Sequence, residues 1–136
     1  MSETGMQKLH PKHWAPAKGF CNGIAANGRQ IFLAGQVGWN AEQNFDSTDF
    51  VAQVRQALAN IVTLVGEAGG GPEHITRLTW YVTDKAEYLS RLTEIGAAYR
   101  SVMGKHFPTM TLVQVVALVE DLAKVEIEAT AVVPHR

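Results

Sequence analysis

Between Val125 and Ala131 the chain alternates without a break, with Val125, Ile127, Ala129 and Ala131 on one side and Glu126, Glu128 and Thr130 on the other. A period of two belongs to a strand with one buried face, because successive strand side chains point to opposite sides of a sheet. Such a strand needs a covering layer. Two segments have the helical spacing to supply it. Val51, Val54, Leu58, Ile61, Val62 and Val65 form one stripe, between candidate N-caps at Asp46-Ser47-Thr48-Asp49 and a stop at Gly69-Gly70-Gly71-Pro72. Leu89, Leu92, Ile95, Gly96, Tyr99 and Met103 form the other, with Asp84 and Glu87 as a capping pair and Gly104 as the stop. Gly96 in mid-helix costs about 1 kcal/mol relative to alanine, which is tolerable where another element approaches closely.

Further strands complete the pattern. Asn27-Gly28, between Phe20–Ala26 and Arg29–Val37, predicts a two-residue hairpin. Ile75–Thr83 alternates, with Leu78, Trp80 and Val82 on one side. Met110–Val119 is strongly apolar on both faces. Residues 1–18 are polar, contain Pro11 and Pro16, and read as an irregular lead-in. The order is β-β-α-β-α-β-β. This predicts a single α+β domain over residues 1–136, a mixed sheet with two helices on one face. The uncovered face is expected to be buried against another subunit.

Composition narrows the function. Lys plus Arg number 12 and Asp plus Glu 13, a balance that speaks against a nucleic-acid binder. The single cysteine, Cys21, cannot form an internal disulfide and reads as an inert thiol. Met1-Ser2-Glu3-Thr4-Gly5 has no basic start leading into an apolar run, and no apolar stretch approaches about 20 residues. Cytoplasmic residence with no membrane partner is the expectation. His10 and His13 lack an acid or cysteine cluster beside them, so no metal site is expected. The triple glycine follows a helix and precedes a proline, the wrong context for a phosphate loop. By pattern alone, Glu126 and Glu128 are two solvated carboxylates.

Four segments add a resemblance. They are Gly19-Phe20-Cys21-Asn22-Gly23; Ile31 to Val37 with its Gly35-Gln36; the Val54–Gly69 helix leading into Thr79–Asp84; and Phe107-Pro108-Thr109-Met110-Thr111 followed by Lys124-Val125-Glu126-Ile127-Glu128-Ala129. In this order they resemble the RidA (YjgF) family over most of the chain from Lys18 to Val133. The resemblance implies a chorismate-mutase-like homotrimer with small-molecule clefts between subunits. It implies a hydrolase that turns enamines or imines into carbonyl compounds and ammonia, without metal or organic cofactor. The family's last-strand glutamate falls on Glu126, as the catalytic residue. Its carboxylate-binding arginine falls on Met110, its cleft tyrosine on Phe20, and a small polar or cysteine position on Leu112. Gly35 and Gln36 keep the loop, and Trp39 follows as a further substrate-binding candidate.

Losing that arginine matters, because a charge-assisted hydrogen bond to a carboxylate contributes about 1.5–3 kcal/mol. Methionine offers only a soft apolar contact. Arg29, Arg77 and Arg100 are candidates for another cation. Two readings follow. The protein is an enamine/imine deaminase with altered substrate preference, its pocket shaped by Phe20, Met110, Leu112 and Trp39. Alternatively, it is a non-catalytic trimer that binds or senses a small metabolite.

Overall fold

The computed structural model describes residues 5–135. The reading of Met1–Thr4 lies outside them. The alternating segment becomes strand β6 (Val125–Val133), with Val125, Ile127, Ala129 and Ala131 buried. It pairs on one side with β3 (Arg29–Val37) and on the other with β4 (Ile75–Val82), both antiparallel. Strand β5 (Thr109–Gln114) adds to β4 in parallel, so the four-stranded order is β3-β6-β4-β5.

Two helices cover one face, α1 (Phe50–Glu67) and α3 (Leu92–Met103). Asp49 caps α1, its carboxylate accepting from the Ala52 amide at 3.0 Å. Val54, Leu58, Ile61 and Val65 turn inward and lose all exposure against Leu78, Val82, Val125 and Ile127. Each such side chain contributes about 1.5–3 kcal/mol by leaving water. Gln53, also buried, works differently. Its Nε2 donates to the Ser47 and Leu122 carbonyls at 3.2 and 2.9 Å, and its Oε1 accepts from the Lys124 amide at 2.8 Å. It ties two loops to the start of α1.

Four expectations need correction. The lead-in is not irregular throughout, for β1 (Met6–Leu9) forms within it. The chain turns at Asn27-Gly28, but β2 (Gly23–Ala26) pairs with β1 in a separate two-stranded sheet while β3 pairs with β6. A long apolar partner outweighs the local hairpin, since strand pairing is stabilised mainly by side-chain burial. Gly28 serves this crossing with φ 151°, and a Cβ there would meet the Val133 backbone, 2.9 Å from its carbonyl carbon.

The second helix is broken. Asp84 caps α2 (Lys85–Ser90) through the Glu87 amide at 3.1 Å, and α3 begins after Arg91. Arg91 leaves the helical conformation and binds Asp49 at 2.8 Å and Glu94 at 2.7 Å. Leu89 and Leu92, assigned to the buried stripe, are about half exposed. Finally, β5 ends at Gln114, and the apolar Val116 and Val119 stand in solvent on the following loop.

The sheet face away from the helices carries Phe32, Arg77, Thr79, Tyr81, Val113, Glu126, Glu128 and Thr130, following the strand registers. Phe32 is 74% exposed, an unusual position for a phenylalanine in the middle of a strand. Tyr81 donates its hydroxyl to Glu128 at 2.6 Å. That carboxylate pushes the phenol pKa up. No helix among the described residues is long and apolar enough to cross a membrane.

Candidate functional site

The expected site residues fall into two groups. Glu126 lies on the open face of β6. Its side chain crosses Gly35 so closely that a Cβ on that glycine would lie 2.8 Å from the Glu126 Cδ. A break in register between Leu33 and Gln36 places Gly35 at this crossing. Gln36 and Trp39 then turn toward α1 and line a cavity with Asn40, Gln43, Gln56 and Asn60. Gln36 donates to the Ala34 carbonyl at 3.1 Å. Trp39 packs on Phe45 with ring centres 5.9 Å apart, and its carbonyl accepts from Asn60 at 2.9 Å.

The second group gathers around β5. Met110 and Leu112 sit in register with Leu78 and Trp80, so they face the helices and pack against the core. The Gly19–Cys21 segment is stitched beside them. The Cys21 amide donates to the Pro108 carbonyl at 3.1 Å, and Cys21 bridges Thr109 in parallel. Gly19 and Met110 thereby share an apolar cavity of about 130 Å³ against α3. Phe20 turns the other way, into a groove with Lys8, Lys12 and Trp14. Burial pushes the Cys21 thiol pKa up, which disfavours the nucleophilic thiolate.

Glu126 and Met110 are therefore on opposite faces of one sheet. They are two strands apart, about 10 Å at ordinary strand spacing. No small substrate touches both within a single chain. The three alternative arginines separate as well. Arg29 donates to the Ala68 carbonyl at 2.6 Å at the end of α1. Arg77 belongs to the open sheet face with Phe32 and Glu128. Arg100 lies over Gly96, which lines the same cavity as Met110.

Sequence reasoning missed Tyr88, Tyr99 and Phe107 as walls of that cavity. Tyr99 stacks on Phe107 with ring centres 5.3 Å apart, and Tyr88 meets Trp80 edge-on. The Trp80 Nε1 is buried with no hydrogen-bond partner among the described residues. Tyr99 and Trp80 lay in the apolar pattern but read as core. Gly19, carried alongside β5 by the Cys21 pairing, completes the lining of the cavity.

Comparison with known proteins agrees with this architecture. Residues 11–133 match the family described as Endoribonuclease L-PSP. A 2-iminobutanoate/2-iminopropanoate deaminase of Escherichia coli K12 is 33% identical over 108 residues, 77% of this chain and 80% of that one. YyfB, a conserved Rid-family protein of Yersinia pestis whose function is unknown, superposes with a TM-score of 0.84 at 30% identity, covering 95% of this chain and 99% of its own. TdcF of E. coli with bound serine superposes with a TM-score of 0.66 at 29% identity, covering 90% and 91%. With the same strand and helix layers, and a family match spanning nearly all of its length, the chain belongs to the RidA (YjgF) family.

Proposed function

We propose that this protein hydrolyses an enamine or imine to a carbonyl compound and ammonia, in clefts between the subunits of a homotrimer. Glu126 acts as the water-orienting group or general base. Water adds to the imine carbon, the nitrogen takes up the proton, and ammonia leaves as the carbonyl forms. The observation that carries this reading is the seat of Glu126 on Gly35, whose missing side chain leaves room for a carboxylate on an otherwise uncovered sheet face. Opposite faces of the sheet hold the other half of the site, so each cleft takes Glu126 and Gly35 from one subunit and Met110 and Leu112 from its neighbour. β5 is the last strand of the four-stranded sheet, and the cavity beside Met110 lies near that margin, against α3. The likeness to an iminobutanoate/iminopropanoate deaminase supports the reaction class. The apolar cavity beside Met110 favours a bulkier, more apolar substrate than a small imino acid.

The test is hydrolysis of freshly generated imines by the wild type and Glu126→Gln. We expect the variant to lose turnover by about 10²-fold or more while keeping its oligomeric state. Unchanged turnover removes Glu126 from the mechanism. A second reading, a binding or sensing trimer without catalysis, is favoured by the lack of a cation among the residues lining the Met110 cavity. Ligand binding with no turnover of any imine would support it.

A further inference from the structure

The chain before β2 builds a second groove, which shares no lining residue with the Met110 cavity. Its volume is about 500 Å³, ordinary for a small-molecule pocket. Lys8 enters it from β1, Lys12 and Trp14 from the turn that follows, and Phe20 and Cys21 from the segment leading into β2. The turn is pinned. The Trp14 amide donates to the Pro11 carbonyl at 3.1 Å. His10 donates through Nε2 to the Trp14 carbonyl at 3.3 Å, and its Nδ1 accepts from Asn22 at 3.4 Å, which ties the turn to the residue after Cys21. Trp14 and Phe20 nevertheless keep 51% and 39% of their surface exposed. No acid lines the groove. Neither the Lys8 nor the Lys12 ammonium has a hydrogen-bond or ion-pair partner among the described residues. Burial raises the Cys21 thiol pKa, and the charge of Lys8 is near enough to oppose that rise. Two unpaired cations therefore stand beside two exposed rings in one groove.

We propose that this groove is a second binding site, for an aromatic phosphate ester, with the ring against Trp14 and Phe20 and the phosphate between Lys8 and Lys12. An aromatic ring gains by offset or edge-on contact with another ring. The anion follows from the cations. A planar carboxylate is matched by the fork of an arginine, whereas two ammonium groups, each a compact charge with three donors, suit a dianion with three terminal oxygens. Phe20, expected in the imine cleft, has its place here instead. The site stands whether or not the protein hydrolyses imines.

The experiment is calorimetric titration of the full chain with 1-naphthyl phosphate, with 1-naphthol and with inorganic phosphate. The ester is expected to bind more tightly than either part alone, by about tenfold or more. The double variant Lys8→Gln/Lys12→Gln should bind ester and naphthol alike. Trp14→Ala should weaken the ester by about threefold or more. Glu126→Gln should bind the ester as the wild type does. Equal affinity for ester and naphthol, no binding of the ester, or an intact preference in the double lysine variant would overturn the site. Both lysines are exposed, so their substitution leaves the fold standing, and circular dichroism of each variant checks this. Imine turnover is measured on the same proteins. Turnover unchanged in the double lysine variant supports a groove separate from the imine cleft; turnover lost there would merge the two and overturn the second site.

Discussion

The carboxylate of Glu126 rests across the backbone of Gly35, where no side chain larger than hydrogen fits. Gly35→Ala should therefore displace Glu126. Forcing a methyl into an occupied space costs about 1–3 kcal/mol. We expect a lower melting temperature together with a fall in imine turnover at least as large as the stability loss explains. Circular dichroism melting and steady-state kinetics on the same preparation check this. Full activity in a stable Gly35→Ala protein would mean that Glu126 need not sit there to work.

Glu126 and Met110 occupy opposite faces of one sheet, which predicts complementation between chains. Glu126→Gln and Met110→Trp homo-oligomers should each be inactive. Mixed oligomers, made by co-expression, should regain activity, because some clefts receive both wild-type halves. Absence of recovery in verified mixed oligomers would argue against a shared cleft.

Gly96 offers a test of helix propensity against a close contact. Alanine is favoured over glycine within a helix by roughly 0.5–1 kcal/mol. The new Cβ would meet the Arg100 Nη1 at 3.2 Å, and that flexible end can swing away. Gly96→Ala should raise the melting temperature measured by circular dichroism. A lower melting temperature would show that Arg100 cannot leave this position without cost.

Gln53 is a structural prediction free of the site. Its three hydrogen bonds serve the carbonyls of Ser47 and Leu122 and the amide of Lys124. Each buried group left without a partner costs about 1–3 kcal/mol. Gln53→Leu should destabilise the fold by about 2–4 kcal/mol in urea denaturation, whereas substitution of the exposed Arg55 should change little.

His106 predicts a pH dependence. Burial lowers its pKa in the folded chain, while its Nε2 donates to the Ile75 carbonyl at 2.6 Å. The folded state then favours the neutral ring. That contribution is complete above the ordinary histidine pKa of about 6.5 and is lost as pH falls through the lowered value. Stability should decline on acidification below about pH 6.5. His106→Gln should flatten that slope in melts at several pH values; an unchanged slope would assign it to other groups.

Much of this was legible in the sequence because its causes are local. The alternation at Val125–Ala131 and the stripe from Val51 to Val65 reflect burial on one side of an element, and both elements form with the expected face inward. Asp49 and Asp84 act as caps because a cap needs only its own next three residues. Tertiary pairing decided the rest. Asn27-Gly28 fits a hairpin, yet β3 joins β6 because the longer apolar partner lies a hundred residues away in sequence. The second helix breaks at Arg91 because its guanidinium reaches Asp49, across the fold. The candidate site divides for the same reason: the family resemblance nominated Glu126 and Met110, but only the pleat and strand order put them on opposite faces. Periodicity reports which side of an element is buried. It carries no record of which distant element does the burying, and that choice places the two halves of the site.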